Sequence, residues 1–392
     1  MERYKRQIPE GVQDTLPLEC YHKRRLEEQI MAVFKAAGYD EIETPTFEYY
    51  DVFAGGIGEV RQEKLQKFFD DKGRILVLRP DITMPIARLA ATRLYEGAPL
   101  RLCYRGNAFG TDGAFYAEQK EFTQMGVEQL GVKGPEADAA LIALSLEALR
   151  AAGLGDTVIE LGQVEFFKGL MEEAGVNVQA ADTLRRYVDE KNLLGLELCL
   201  KELDVEETLR EKVLRLTNLY GGEEVFEEAF AFSHSPRCRA AVMNSKTIYE
   251  ILCDFGLASH VSIDFGMLQS MDYYSGMVFK GISAGIGQPV LSGGRYDHLT
   301  AQFGKDIPAT GFSLDSKRIL VALDRKGALQ GGPRADAVIS AAEHCRKLAY
   351  RRANALRGSG LRTVLALHLD REGLETYAAG IGAKAVWVEE KA

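Results

Sequence analysis

No cysteine in this chain has a partner at metal-binding spacing. The six, Cys20, Cys103, Cys199, Cys238, Cys253 and Cys345, form no CxxC, and the nearest approach to a ligand pair, His234-Ser-Pro-Arg-Cys238, has no second half. Tetrahedral zinc sites need four such ligands, so no metal and no other cofactor is expected. Unpaired thiols suit a reducing compartment. Long apolar runs are missing too, and no window approaches the ~20 residues of a membrane-spanning helix. The N-terminal stretch carries charge without an apolar segment, unlike a secretory signal. Basic residues are the minority, 48 against 57 acidic, for a net charge of −9. That weighs against nucleic acid, whose phosphates call for clustered Lys and Arg. Repeats and low-complexity tracts are absent. A cytoplasmic protein without membrane contact is expected.

What is there is ordinary globular material: 392 residues, 46% apolar and 27% charged, with 39 Gly and 11 Pro. This length predicts two or three domains. Pro17 opens a helix and Gly38 closes it, with Leu26, Ile30, Val33, Phe34 and Ala37 on one face. Ile42 and Pro45 lie in an extended piece. A strand over 74–78 and a helix over about 83–95 follow. The runs 100–109 and 120–130 alternate with period two and read as strands; in the second, Thr123, Met125 and Val127 share one face while Gln124, Gly126 and Glu128 share the other. A helix is expected over about 136–152. Strands are expected over 261–267, 271–280 and 286–291, then a helix over about 314–323. The fold class is α+β, an antiparallel sheet flanked by helices. Residues 1–326 form the core, with a helical insertion at about 168–257. Residues 327–334 are a turn-rich linker, and 335–392 a small βαβαβ domain.

Four places carry candidate chemistry, each with a plainer reading beside it. Gln124 and Glu128 stand ~13 Å apart along one strand face with Gly126 between them. That pattern suits a strand-floored pocket for a polar small molecule, or a sheet face open to water. Asp272, Tyr274 and Gly276 share a second face, suited to a ligand-facing hydroxyl or to a core tyrosine. Ser292-Gly-Gly-Arg-Tyr-Asp297 reads as a tight turn, with backbone amides for an anion or with none to spare. Asp81 and Thr83 precede a helix, where they cap it or accept from an ammonium group.

Taken together and in this order, these fragments resemble the class II aminoacyl-tRNA synthetases, specifically the histidyl-tRNA synthetase lineage, from Gln7-Ile-Pro-Glu-Gly-Val through about Leu323. The helix ending at Gly38 with the strand holding Pro45 resembles the first class motif, which implies self-association through a synthetase-type dimer interface. Residues 100–131 resemble the second motif, and Gly311-Phe-Ser-Leu-Asp-Ser-Lys-Arg318 the third. Met271-Asp-Tyr-Tyr-Ser and Gly293-Gly-Arg-Tyr-Asp-His-Leu resemble two histidine-specific segments. The resemblance implies an L-histidine pocket: Asp81, Thr83 and Gln124 on the α-ammonium, Glu128 and Tyr274 on the imidazole nitrogens, Tyr273 and Tyr296 along the wall. Asp81 stands where the lineage has Glu, one methylene longer.

Departures from the lineage bear on activity. Gly110 stands where the second motif has its phosphate-clamping arginine, Ala117-Glu118 replaces a later Gly-Arg, and Gln269 replaces the arginine of Arg-Gly-Leu-Asp-Tyr-Tyr. Arg318 of the third motif remains. Losing one preorganised charge-stabilising group typically costs about 10²–10³ in rate, so the chain is expected not to charge tRNA. Such a chain resembles the branch of regulatory subunits of ATP phosphoribosyltransferase. Membership would imply a short-form catalytic subunit as partner, a hetero-octamer, feedback inhibition by histidine and no tRNA. An active histidyl-tRNA synthetase, or another synthetase-like amino-acid-binding paralogue, is the alternative.

Overall fold

The computed structural model describes residues 4–54, 65–110, 120–203, 205–268 and 273–389. Ala117, Glu118, Gln269 and Asp272 lie outside the described residues. Contacts divide the chain into two compact units. One holds residues 1–15 and 23–329, the other residues 16–22 and 330–392.

The first unit is organised by a nine-stranded sheet. Across it run Asp40–Glu41, Leu100–Ala108, Phe122–Leu130, Ala309–Asp315, Leu291–Arg295, Met277–Ile282, Val158–Gln163, Val261–Asp264 and Tyr220–Gly221. Two pairings are parallel, Asp40–Glu41 with Leu100–Ala108 and Val158–Gln163 with Val261–Asp264; the rest are antiparallel. One face carries a cross-strand row of Val127, Phe312, Gly293, Phe279 and Leu161. It packs on the main core, to which the helix Pro17–Ala36 contributes Leu26, Ile30 and Phe34. That helix stops before Gly38, whose φ of 82° is a conformation glycine adopts at little cost. Ala37, expected on its apolar face, is exposed beyond the last turn.

The opposite sheet face was the open question for Gln124 and Glu128. It is covered rather than wet: both side chains are buried, and a second apolar cluster with Tyr104, Tyr273, Tyr274, Val278 and Tyr296 packs over it. The helix expected over 83–95 is α-helical over Thr83–Leu89 and widens to a π-helical turn over Ala90–Leu94. A small antiparallel sheet of Phe47–Tyr49, Ile75–Leu78 and Lys67–Phe69 stands apart.

Three expected elements are corrected, the first being the strand expected over 286–291, where strand begins only at Leu291. Ser292-Gly-Gly-Arg295 is not a turn but strand, and it pairs on both sides. Its glycines serve close approach. A Cβ at Gly293 would meet Phe312 Cβ at 2.6 Å and Phe279 at 2.8 Å, whose rings sit edge to face across it; a Cβ at Gly294 would meet the Tyr274 ring at 2.7 Å. Its amides are committed to the ladder, and the anion-binding reading falls. The strand expected over 271–280 begins only at Met277, so Tyr274 and Gly276 do not share a strand face.

The region expected as a helical insertion carries the helices Val164–Glu173, Val178–Asp189, Leu193–Glu202, Glu207–Leu216, Glu224–Phe232 and Pro236–Asp254, with the short strand Tyr220–Gly221 joining the sheet edge. The second unit is a parallel three-stranded sheet, ordered Thr363–Leu365, Ala337–Ala341, Lys384–Val388, with helices Arg346–Gly358 and Arg371–Ile381. Among the described residues, no helix is long and apolar enough to cross a membrane.

Candidate functional site

Strand register builds the site floor. Successive residues alternate faces, so Gln124, Gly126 and Glu128 point together, and their cross-strand partners Asp315, Ser313 and Gly311 share that face. Gly311 faces Glu128, where a Cβ would lie 1.7 Å from Oε2; only a glycine leaves room for the carboxyl. Gly126 plays a different part from the one expected. It leaves space for the Tyr104 hydroxyl, which a Cβ would approach to 2.5 Å, rather than for a ligand.

Glu128 is the centre of the site, only 1% exposed. Thr83 donates its hydroxyl to Oε1 at 2.8 Å, Tyr104 donates to the same oxygen at 3.3 Å, and Tyr296 donates to Oε2. Burial pushes its pKa up to about 8, with the nearby Asp81 adding to the rise and the three hydroxyls opposing it. Asp81 is buried as well, and burial raises its pKa against the pull of the Met84 and Thr83 backbone amides. The capping reading holds for Asp81, whose Oδ1 accepts from Met84 N at 3.0 Å at the start of the helix Thr83–Leu89. The Gln124 carboxamide oxygen accepts from Ile82 N at 2.9 Å, which fixes the 81–83 segment against the sheet. Burial keeps Tyr104, Tyr273, Tyr274 and Tyr296 protonated, as neutral hydroxyls, far above neutral pH.

Asp81, Thr83, Gln124, Glu128, Tyr273, Tyr274 and Tyr296 all line one cavity of about 180 Å³. Tyr273 packs against both neighbours, with ring centroids 4.8 Å from Tyr274 and 5.7 Å from Tyr296. The same cavity is lined by Lys280, Asp189 and Arg318. Sequence reading passed over Lys280 and Asp189; the alternation of the Met277–Ile282 strand was the signal for the first, and nothing local marks the second. A larger cavity, about 490 Å³, adjoins and shares Asp81, Gln124 and Arg318. Among the described residues its cations are Lys317, which donates to Gln13 at 2.8 Å, and Arg318, which donates to Pro289 O at 3.1 Å and pairs with Asp315 at 3.3 Å. Gly110 has no side chain to offer, and among the described residues a Cβ built on it would meet Pro80 O at 3.9 Å.

Comparison with known proteins identifies the family. The family profile described as histidyl-tRNA synthetase matches residues 11–319. A protein of Acetivibrio thermocellus named ATP phosphoribosyltransferase regulatory subunit is 46% identical over 386 residues, covering 97% of this chain and 92% of its own. The chain belongs to the regulatory-subunit family of ATP phosphoribosyltransferase, on the histidyl-tRNA synthetase fold. A second regulatory subunit, from Ruminiclostridium cellulolyticum, is 46% identical over 358 residues, 91% of this chain and 85% of that one. A crystal structure from Bacillus halodurans, titled ATP phosphoribosyltransferase regulatory subunit/histidyl-tRNA synthetase, superposes with a TM-score of 0.86 at 32% identity over 99% of this chain and 100% of that one. Membership of the regulatory-subunit family ties the chain to histidine biosynthesis and to a regulatory role, and its central sheet flanked by helices is the class II synthetase arrangement.

Proposed function

We propose that this chain is the non-catalytic, histidine-binding partner of a short-form ATP phosphoribosyltransferase catalytic subunit in the cytoplasm, required for the first step of histidine biosynthesis and for its feedback inhibition. One observation carries the reading: Glu128 and Asp81 are buried carboxyls on a single small cavity, and no cation pairs with either among the described residues. A buried carboxylate is costly without a cation, and the hydroxyls on Glu128 and the Met84 amide on Asp81 supply donors but no charge. Histidine brings both, an α-ammonium for Asp81, Thr83 and Gln124, and ring nitrogens for Glu128 and Tyr274, with Tyr273 and Tyr296 closing the wall. Charge-assisted bonds to these acceptors are the strong kind.

Adenylation is not part of this reading. Gly110 presents no cation to a triphosphate, and Lys317 and Arg318 are engaged by the protein's own oxygens. Binding that regulates a partner requires different affinities in two states, commonly ~1–3 kcal/mol of coupling. Self-association through the first-motif helix is part of the same reading.

The test has three arms. Calorimetric titration against a panel of amino acids should select histidine, co-purification should recover the transferase, and histidine should inhibit only the assembled complex. Preference for an amino acid without an imidazole overturns the pocket assignment. Robust histidine-dependent ATP–pyrophosphate exchange overturns the regulatory reading in favour of a working ligase.

A further inference from the structure

A bound amino acid carries a carboxylate as well as an ammonium, and the acidic end of the cavity repels it. The sheet places a cation at the other end. On the site-facing side, Gly126, Ser313, Ser292, Lys280 and Glu160 form one cross-strand row, and Glu128, Gly311, Gly294 and Val278 form the next. Between the Phe122–Leu130 strand and Lys280 the floor of the first row is therefore Ser313 and Ser292, while the glycines of the second admit the Glu128 carboxyl and the Tyr274 ring. Three strand spacings of ~4.8 Å separate the two strands, about 14 Å. Lys280 lines the same cavity as Glu128.

Lys280 is loosely held. Its ion-pair partner is Asp189 at 3.8 Å, beyond hydrogen-bond length, at the end of the helix Val178–Asp189. Glu160 is its neighbour on the adjoining strand. Asp189 also lines the cavity. Just beyond it, Lys191 sits at a φ of 51°, unusual for a side-chain-bearing residue, and reaches Asp264 at only 4.0 Å. Two long ion pairs, a kind worth little individually, thus join the end of this helix to the sheet, beside the core packing of Leu184 and Val188. Arg318, the other cation on the cavity, is already fixed by Pro289 O and Asp315.

We infer that Lys280 receives the carboxylate of the bound amino acid and, in doing so, exchanges Asp189 for the ligand, so that occupancy is reported to the helices of residues 164–254. This rests on the histidine-binding reading above and adds to it a ligand group, a residue and a route. The ligand's carboxylate and the Asp189 carboxylate compete for one ammonium. No bond is made or broken covalently.

Histidinol, which keeps the ammonium and the imidazole but has a hydroxymethyl group in place of the carboxylate, separates the two readings. In calorimetric titrations of the full chain, histidine should bind at least tenfold tighter than histidinol. Lys280→Gln should weaken histidine about tenfold or more and change histidinol less than twofold, while Lys280→Arg restores most of the histidine preference. Asp189→Asn should tighten histidine a few-fold and leave histidinol unchanged. Equal histidine affinity in Lys280→Gln and the unaltered chain overturns the assignment while leaving the pocket reading intact. Loss of both ligands in a Lys280→Gln chain with an unchanged melting curve also overturns it, because the lysine then shapes the site rather than reading the carboxylate. Weaker histidine binding in Asp189→Asn removes the exchange. If the unaltered chain binds neither ligand, the pocket reading itself falls, and this inference with it.

Discussion

Gly311 and Glu128 face each other across adjacent strands so closely that a Cβ on the glycine would lie 1.7 Å from the carboxyl oxygen Oε2. The carboxyl occupies the space that every other residue type would fill. Gly311→Ala is therefore expected to cost about 1–3 kcal/mol of stability, the usual range for overpacking a dense interior. Because relief comes most readily by moving Glu128, histidine affinity should fall by at least tenfold. Urea unfolding and calorimetry on the same preparation check both; unchanged affinity would show that the carboxyl is not needed where it stands.

Glu128→Ala removes the acceptor itself. Histidine binding should weaken by about 1–3 kcal/mol, the penalty for leaving a partner's donors unmet. The complex with the transferase should still assemble, since this residue is 1% exposed and touches no surface. Histidine inhibition of the Glu128→Ala complex at the original concentration would take the residue out of the site.

Acid–base behaviour gives an independent handle on the same group. Burial raises Glu128 to about 8, from an ordinary value of 4.5. Between those values the folded chain holds a proton that the unfolded chain has released, so its contribution to stability declines as pH rises through that window. Glu128→Gln keeps the shape and cannot titrate. Relative to the original chain, it should gain in melting temperature from pH 5 to pH 8; parallel curves would mean that the carboxyl does not titrate in this range.

Arg295 is the chief structural cation of the sheet. It donates to Asp138 through Nε at 3.0 Å and Nη2 at 2.7 Å, and through Nη1 to Asp297 at 2.9 Å and Val132 O at 3.1 Å. Removing it leaves the almost fully buried Asp138 without this cation, and breaking one side of such a pair costs about 3–5 kcal/mol. Arg295→Ala should lose that much in urea unfolding, and Arg295→Lys somewhat less, because lysine cannot match the two-pronged contact. A loss below 1 kcal/mol would mean that Asp138 finds another partner.

Much of this arrangement was legible in the sequence, and where it was not the reasons are physical. Strict alternation in Phe122–Leu130 set Gln124 and Glu128 on one face, but alternation alone does not say whether that face is wet; the tyrosines that cover it come from residues 104, 273, 274 and 296. Gly293-Gly294 resembled a turn because paired glycines usually mark one. Here each removes a side chain on a different face of a strand, one for the Phe279–Phe312 contact and one for the Tyr274 ring. Asp81 looked like either a cap or a ligand group, and its position allows both, one oxygen capping the helix while the residue lines the cavity. Asp189 had no signal at all, since its meeting with Lys280 joins elements about ninety positions apart in the chain.

The Leu291–Arg295 strand holds two jobs in five residues. Its Ser292 and Gly293 line the cavity, and its last side chain is bolted to Asp138 in the helix Pro135–Ala151, which in turn packs along Pro236–Asp254. Such a strand cannot yield at one end and stay put at the other. Cavity floor and outer helices are thus joined by one short run of direct contacts, Ser292 and Gly293 at one end and the Arg295–Asp138 pair at the other.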